Sequence, residues 1–143
     1  MNAARDLHFA KMNGAGNDFV LIDEREQKYG LEWKNLAPRI CDRHLGVGAD
    51  GLIVLSATPG ADFRMDYYNA DGSSGGMCGN GGRCAAAYVM SGSGRVQVAF
   101  LALDYCYRAQ SKPDGTITLQ MKDPQNIRIN QSLELKEGRV RYH

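Results

Sequence analysis

The feature of this sequence that most constrains its fold is a glycine-rich stretch, NADGSSGGMCGNGGRC, at residues 69–84. It places Cys78 between two glycine clusters, and the alanine-rich segment RCAAAYVM at residues 83–90 overlaps its end. Because alanine favours helix more than any other residue, this order predicts a loop that enters the N-terminus of a helix, with a thiol at the junction. The unpaired N–H groups and the dipole at such a point stabilise a thiolate and can bind a carboxylate.

Length and composition fit one ordinary globular domain. The chain has 143 residues, of which 43% are hydrophobic and 23% charged, and its formal net charge is +1. This balance argues against nucleic acid or a membrane surface as a partner. No apolar run reaches the roughly 20 residues of a membrane span, and the N-terminal MNAARDLHF does not read as a signal peptide. We therefore expect a cytoplasmic protein with reduced cysteines.

The hydrophobic pattern predicts two helices set among seven or eight short strands. Strands are expected at residues 7–12, 18–23 and 51–57, the last buried on both faces, and helices at residues 33–45 and 80–90. Regular βαβ spacing is absent, which disfavours a doubly wound parallel sheet. The sequence therefore predicts an α+β fold, in which a mainly antiparallel sheet curls into a barrel around the second helix.

Cys78 is the candidate catalytic residue, because glycines on both sides leave its thiol too little cover for a purely structural role. We assign Cys41, Cys84 and Cys106 to packing, and His44 to a face of the first helix. No C-x-x-C pair is present and no histidine lies near Cys78 in the sequence, so the pattern predicts no metal site.

Three asparagines are candidate ligand contacts. Asn17 and Asn69 each lie at the end of a predicted strand beside glycines, and Asn80 lies inside the glycine-rich stretch. A carboxamide both donates and accepts hydrogen bonds, which suits a zwitterionic amino acid, although turn formation is a common alternative role for asparagine. Arg83 is either a ligand contact or a surface charge.

Other motifs built around a glycine-rich loop do not fit. A Cys-x5-Arg phosphatase loop fails by one residue, because Arg83 is five positions after Cys78. Dinucleotide-binding and Walker loops are also excluded by spacing. Three functions remain: proton transfer by a thiol, carboxylate binding without catalysis, and thiol-based hydrolysis, for which no histidine base is evident near Cys78.

Three segments together resemble the diaminopimelate epimerase family. They are KMNGAGNDFVLID at residues 11–23, ICDRHLGVGADGLIVL at 40–55 and YNADGSSGGMCGNGGRCAA at 68–86. The resemblance covers about the first 90 residues in register. The related proline racemase group is a further alternative, but it typically has histidine where Asn80 stands.

The resemblance implies an epimerase without cofactor or metal, which interconverts L,L- and meso-diaminopimelate for lysine and peptidoglycan synthesis by moving the α-proton between two thiols. Members of the family have two pseudo-symmetric domains, each a barrel around a helix, with the substrate between them. Carried over to this sequence, Cys78 is one thiol, and Asn17 and Asn69 contact the substrate. Gly79 and Asn80 hold its α-carboxylate with backbone N–H groups.

This sequence is about half as long as members of the family. We expect residues 1–122 to form the first barrel domain and residues 123–143 to begin a truncated second one. The second catalytic cysteine and a Glu-Arg pair for the far end of the substrate are then supplied by the missing C-terminal half, or a homodimer presents two Cys78 thiols. We expect the chain to fold but not to epimerise alone.

Overall fold

The computed structural model describes residues 6–135 and 138–142. It shows a seven-stranded sheet, two helices and a separate two-stranded sheet. In chain order, the elements are β1 (Ala10–Gly14), β2 (Asn17–Glu24), α1 (Trp33–Cys41), β3 (Gly51–Ser56), β4 (Phe63–Asn69), α2 (Gly79–Ser93), β5 (Gln97–Ala102), β6 (Tyr105–Ser111), β7 (Ile117–Gln120), β8 (Gln131–Leu135) and β9 (Gly138–Tyr142).

The seven strands lie side by side in sequence order, from β1 to β7. Four neighbouring pairs are antiparallel, which confirms the expected mainly antiparallel sheet. The pairs β2–β3 and β4–β5 are parallel. A parallel neighbour requires a crossover connection, and the two helices provide these crossovers. Across the described residues, regular βαβ spacing is absent as expected, because two single βαβ units are inserted between hairpins and produce no repeating pattern.

Helix α2 packs against all seven strands, so the sheet curls around it as expected. Helix α1 lies on the opposite face, and strands β2 and β3 are consequently buried on both sides. Alternate residues of these two strands face the two helices. Those on the α2 side are Phe19, Leu21, Ile53 and Leu55, and those on the α1 side are Val20, Ile22, Leu52 and Val54.

Helix α1 is shorter than the predicted span of residues 33–45, because it ends at Cys41. The Asp42 carboxylate accepts hydrogen bonds from the backbone N–H groups of His44, at 2.7 Å, and Leu45, at 2.8 Å. Aspartate that bonds the backbone two residues on initiates a turn, which replaces the last helical turn here. His44 is therefore exposed in a turn and not on a helix face, whereas Cys41 is a core residue as expected.

Helix α2 begins at Gly79 and extends to Ser93, a few residues beyond the predicted end. Its first turn lies close to the sheet because it carries little side-chain volume. A Cβ added at Gly82 would come within 2.8 Å of Met77 Cε and 3.0 Å of Leu119 Cδ2. On the other side, a Cβ added at Gly14 would lie 3.0 Å from the Asn80 backbone oxygen, so the N-terminus of α2 lies beside the β1–β2 hairpin.

Strands β8 and β9 form a sheet of their own beyond Gln120. The domain bounds, 1–122 and 123–143, remain predictions, and residues 1–5, 136–137 and 143 lie outside the described residues. In the part of the chain that is described, no helix is long and apolar enough to cross a membrane.

Candidate active site

Cys78 is the N-cap residue of α2, with an extended backbone conformation (φ −106°, ψ 115°). The backbone N–H of Gly81 donates to Cys78 Sγ at 3.4 Å, and the N–H of Gly82 donates to the Cys78 carbonyl at 2.8 Å. The side chain is half-buried. The sulfur is therefore held at the positive end of the α2 dipole.

The loop that leads to Cys78 is fixed by the ring of Tyr67. A Cβ added at Gly75 would lie 2.1 Å from the ring, and one added at Gly51 would lie 2.4 Å from it. The ring therefore fits between two glycines, and its other contact is edge-on with Phe19, at a centroid distance of 5.9 Å. Burial raises the pKa of Tyr67, and the nearby Cys78 raises it further.

Two of the predicted ligand residues lie in direct contact. Asn80 Nδ2 donates to Asn17 Oδ1 at 2.6 Å, which connects the first turn of α2 to the start of β2. Arg83 was expected to be either a ligand contact or a surface charge. In the structure, its guanidinium donates to Asn80 Oδ1. At the other end, Asn17 Nδ2 donates to Asp50 Oδ2 at 3.0 Å.

The charged residues behind Asn17 were not expected from the sequence. Arg43 Nη2 donates to Asp50 Oδ1 at 2.8 Å and to Asp18 Oδ1 at 2.7 Å, and Lys11 Nζ donates to Asp18 Oδ2 at 2.8 Å. Hydrogen bonds from Arg43 and then Lys11 hold the pKa of Asp18 well below its usual range, and the bond from Asn17 lowers the pKa of Asp50. One indication of these residues is present in the sequence: Lys11 and Asp18 lie in the family-like segment 11–23, and Arg43 and Asp50 lie in the segment 40–55.

Asn69 lies at the same end of the sheet but belongs to a separate turn. Gly51 pairs with Phe19 of β2 on one side and with Asn69 of β4 on the other. Among the described residues, the hydrogen bonds of the Asn69 side chain remain within its turn, where Nδ2 donates to Ser73 Oγ at 2.9 Å. The structure thus brings Asn17 and Asn80 together and leaves Asn69 apart from them.

Gly79 is the first residue of α2, so its N–H and that of Asn80 have no acceptor within the helix. Both residues are half-buried. These two N–H groups are the ones that the resemblance assigns to the substrate carboxylate. They lie directly after Cys78 in the chain.

Of the other three cysteines, two are buried and one is exposed. Cys41 belongs to the α1 side of the sheet and Cys84 is buried on the α2 side, and burial raises the pKa of both thiols. Cys106 is exposed, so its assignment to packing was wrong. The reason is strand alternation, because Cys106 shares the outward face of β6 with Arg108 while Tyr107 points inward.

Comparison with known proteins gives one consistent family. The diaminopimelate epimerase family profile matches residues 9–130. Curated diaminopimelate epimerases from Flavobacterium psychrophilum and Chlorobaculum tepidum are 40% and 41% identical over 121 residues. These matches cover 84% and 82% of this chain but only 47% and 46% of the relatives. The chain therefore spans about half the length of the curated relatives that it matches.

Solved structures confirm the fold. The chain is similar to a Bacillus anthracis phenazine biosynthesis protein of the PhzF family, with a TM-score of 0.54 at 17% identity over 79% of this chain and 38% of that one. It is also similar to a methylitaconate-delta-isomerase, with a TM-score of 0.54 at 15% identity, over 76% of this chain and 63% of that one. At these identities, the likeness concerns the fold alone.

Proposed function

Because this chain belongs to the diaminopimelate epimerase family, we propose that it supplies one half of a two-thiol epimerase site for diaminopimelate. The reaction removes the α-proton from one face of the carbon and returns a proton to the other. Two opposed groups achieve this without rotating the intermediate, provided that one is a thiolate while the other is a thiol. Neither step requires a cofactor.

Cys78 carries the proposal. It is half-buried, its sulfur accepts a hydrogen bond from the N–H of Gly81, and it is the N-cap of the central helix. When the Cys78 thiolate takes the α-proton from the substrate, it becomes a thiol. In the reverse direction the thiol returns a proton and becomes a thiolate again. The position of the sulfur, which accepts a hydrogen bond from the α2 backbone, supports the acid/base role.

The first N–H groups of α2 provide a second part of the site. We assign the substrate α-carboxylate to the N–H groups of Gly79 and Asn80, with Asn17 and Asn69 as further contacts. As the α-proton is removed, negative charge develops next to this carboxylate. Fixed N–H donors and the helix dipole stabilise that charge in the manner of an oxyanion hole.

The opposing thiol is assigned to the second half of the enzyme. Cys84 is buried and lies only six residues beyond Cys78 in α2, and Cys41 lies on the other face of the sheet. Cys106 is exposed on the outward face of β6. None of these can face Cys78 across a substrate. The chain by itself therefore holds one acid/base thiol and is expected not to invert the stereocentre.

The test follows the α-proton signals of L,L- and meso-diaminopimelate by NMR in D2O, with the chain and with its Cys78→Ser variant. We expect no conversion between the two stereoisomers by the chain alone, and we expect any α-deuterium incorporation to require Cys78. Inversion by the chain alone would contradict the half-site assignment. Equal exchange in the Cys78→Ser variant would contradict the role of the thiol and leave a carboxylate-binding module.

A further inference from the structure

We propose that Asp50 and Arg83 are positioning residues that fix the polarity of the Asn17 and Asn80 carboxamides, so that both present N–H groups to a carboxylate ligand. This inference rests on the proposed function for the identity of that ligand. It concerns two residues to which the resemblance assigns no part in the reaction. Neither needs to touch the substrate for the effect.

The hydrogen bonds form one directed chain between a cation and an anion. Arg83 donates to Asn80 Oδ1, Asn80 Nδ2 donates to Asn17 Oδ1 at 2.6 Å, and Asn17 Nδ2 donates to Asp50 Oδ2 at 3.0 Å. A guanidinium only donates and a carboxylate only accepts. The charges at the two ends therefore permit one orientation of each amide. Turning either amide over would set donor against donor or acceptor against acceptor.

The anionic end of this chain is anchored to the sheet. The Asp50 carboxylate accepts from Arg43 at 2.8 Å and from the backbone N–H of Asp18 at 3.2 Å, and the N–H of Asp50 donates to the Asp18 carbonyl at 3.0 Å. Strands β2 and β3 begin beside these two aspartates and pair in parallel. The carboxylate that orients Asn17 is thus held by the backbone of β2 and by Arg43.

The fixed polarity determines what the two asparagines offer a ligand. Each amide nitrogen carries two N–H groups and uses one of them within the chain of hydrogen bonds. One N–H of Asn17 and one of Asn80 remain, while each amide oxygen already accepts a hydrogen bond. Together with the backbone N–H groups at the start of α2, they form a set of donors. Such a set binds a carboxylate and disfavours an ammonium group.

The substitutions Asp50→Asn and Arg83→Met act on opposite ends of the chain of hydrogen bonds. In Asp50→Asn, an NH2 group replaces one of the two oxygens that accept from Asn17 and from Arg43. Because the cationic Arg43 favours keeping the oxygen on its side, the NH2 group is expected to face Asn17, where it sets donor against donor. Arg83→Met removes the donor to Asn80 while keeping much of the side-chain volume. Asp66→Asn is the matched control, because Asp66 pairs with Arg64 at 3.2 Å, and both residues are about two-fifths exposed.

The first readout is the side-chain amide spectrum of the 15N-labelled chain, which requires no ligand. In the wild-type chain, we expect one N–H of Asn17 and one of Asn80 to exchange with water at least about tenfold more slowly than the amide protons of an exposed asparagine. Asp50→Asn removes this protection at Asn17, and Arg83→Met removes it at Asn80. Unchanged exchange in both variants would overturn the inference.

The second readout is protection of Cys78 from iodoacetamide by meso-diaminopimelate. We expect the concentration needed for half-protection to rise at least about tenfold in Asp50→Asn and Arg83→Met, and to stay unchanged in Asp66→Asn. If meso-diaminopimelate protects Cys78 equally in all variants, although the amide protons exchange faster in Asp50→Asn and Arg83→Met, the positioning role is overturned. Absence of protection in the wild type would instead contradict the proposed function, while the amide spectrum still decides the polarity.

Discussion

Gly14→Ala tests how closely the β1–β2 hairpin must approach the central helix. A Cβ added at Gly14 would lie 2.9 Å from Cys84 Sγ and 3.0 Å from the backbone oxygen of Asn80, whereas ordinary contact begins at 3.4 Å. The Asn80 oxygen belongs to the α2 backbone and the Cys84 side chain is buried in the core, so neither atom can move aside freely. The hairpin must therefore retreat by roughly the difference, about 0.5 Å, if packing is to return to ordinary contact distance.

The cost follows from two opposing effects. Overpacking of a well-packed region costs about 1–3 kcal/mol. Alanine restricts the unfolded chain more than glycine does, which returns about 0.4–1 kcal/mol. We expect a net loss of about 1–2 kcal/mol in the free energy of unfolding, or a decrease in Tm of about 3–10 °C for a chain of this size. Gly14 pairs with Asn17 across the hairpin, so the Asn17–Asn80 hydrogen bond is also expected to lengthen.

Urea unfolding of Gly14→Ala, Cys84→Ala and the double variant measures this effect. Removing the sulfur relieves one of the two close contacts, so we expect the double variant to lose about 0.5–1 kcal/mol less than the sum of the single variants. Gly92→Ala is the control, because an added Cβ there meets nothing within 4 Å. Additive losses, or a Gly14→Ala variant as stable as the wild type, would refute the argument.

Three other outcomes are expected. Gly75→Ala displaces the Tyr67 ring and should lower the free energy of unfolding by about 1–3 kcal/mol in urea titration, and adding Tyr67→Val should recover part of the loss. Gly92→Ala should raise it by about 0.5–1 kcal/mol, because it adds helix propensity in open space. In the folded chain, the hydrogen bond from Arg43 lowers the pKa of Asp18 below its usual 3.8. The stabilisation from Arg43 is therefore fully present above pH 3.8 and is lost as the pH falls below 3.8. We expect the Tm, measured from about pH 6 to about pH 2, to fall less steeply in Asp18→Asn than in the wild type.

Much of the fold could be predicted because the local signals and the tertiary packing agree. The apolar run of β3 has no polar face, and it is buried between two helices as such a run requires. The alanine-rich start of α2 predicts a helix, and the absence of large side chains there lets it approach the sheet. The early end of α1 was missed, because the helical spacing in the sequence continues to His44. The Asp42 side chain instead accepts hydrogen bonds from the following backbone N–H groups, which ends the helix at Cys41.

The position of Cys78 in the fold was predictable, and its surroundings were less so. Its place at the start of a helix could be identified because glycines and a following helix define its environment within one segment. Asp50 and Arg43 could not, since their contact with Asn17 and Asp18 joins segments more than 20 residues apart. Periodicity and propensity carry no information about such contacts. Cys106 was misassigned because its exposure depends on which face of β6 turns inward, and one residue of register decides that.

The alkylation rates of Cys78 and Cys106 test whether Cys78 is an acid/base thiol. Cys106 is exposed and Cys78 is half-buried, so accessibility alone favours Cys106. We expect iodoacetamide at neutral pH to modify Cys78 several-fold faster than Cys106, as measured by peptide mass spectrometry. We expect meso-diaminopimelate to slow modification only at Cys78. Faster modification of Cys106, with no effect of diaminopimelate on Cys78, would contradict an acid/base thiol at the N-terminus of α2.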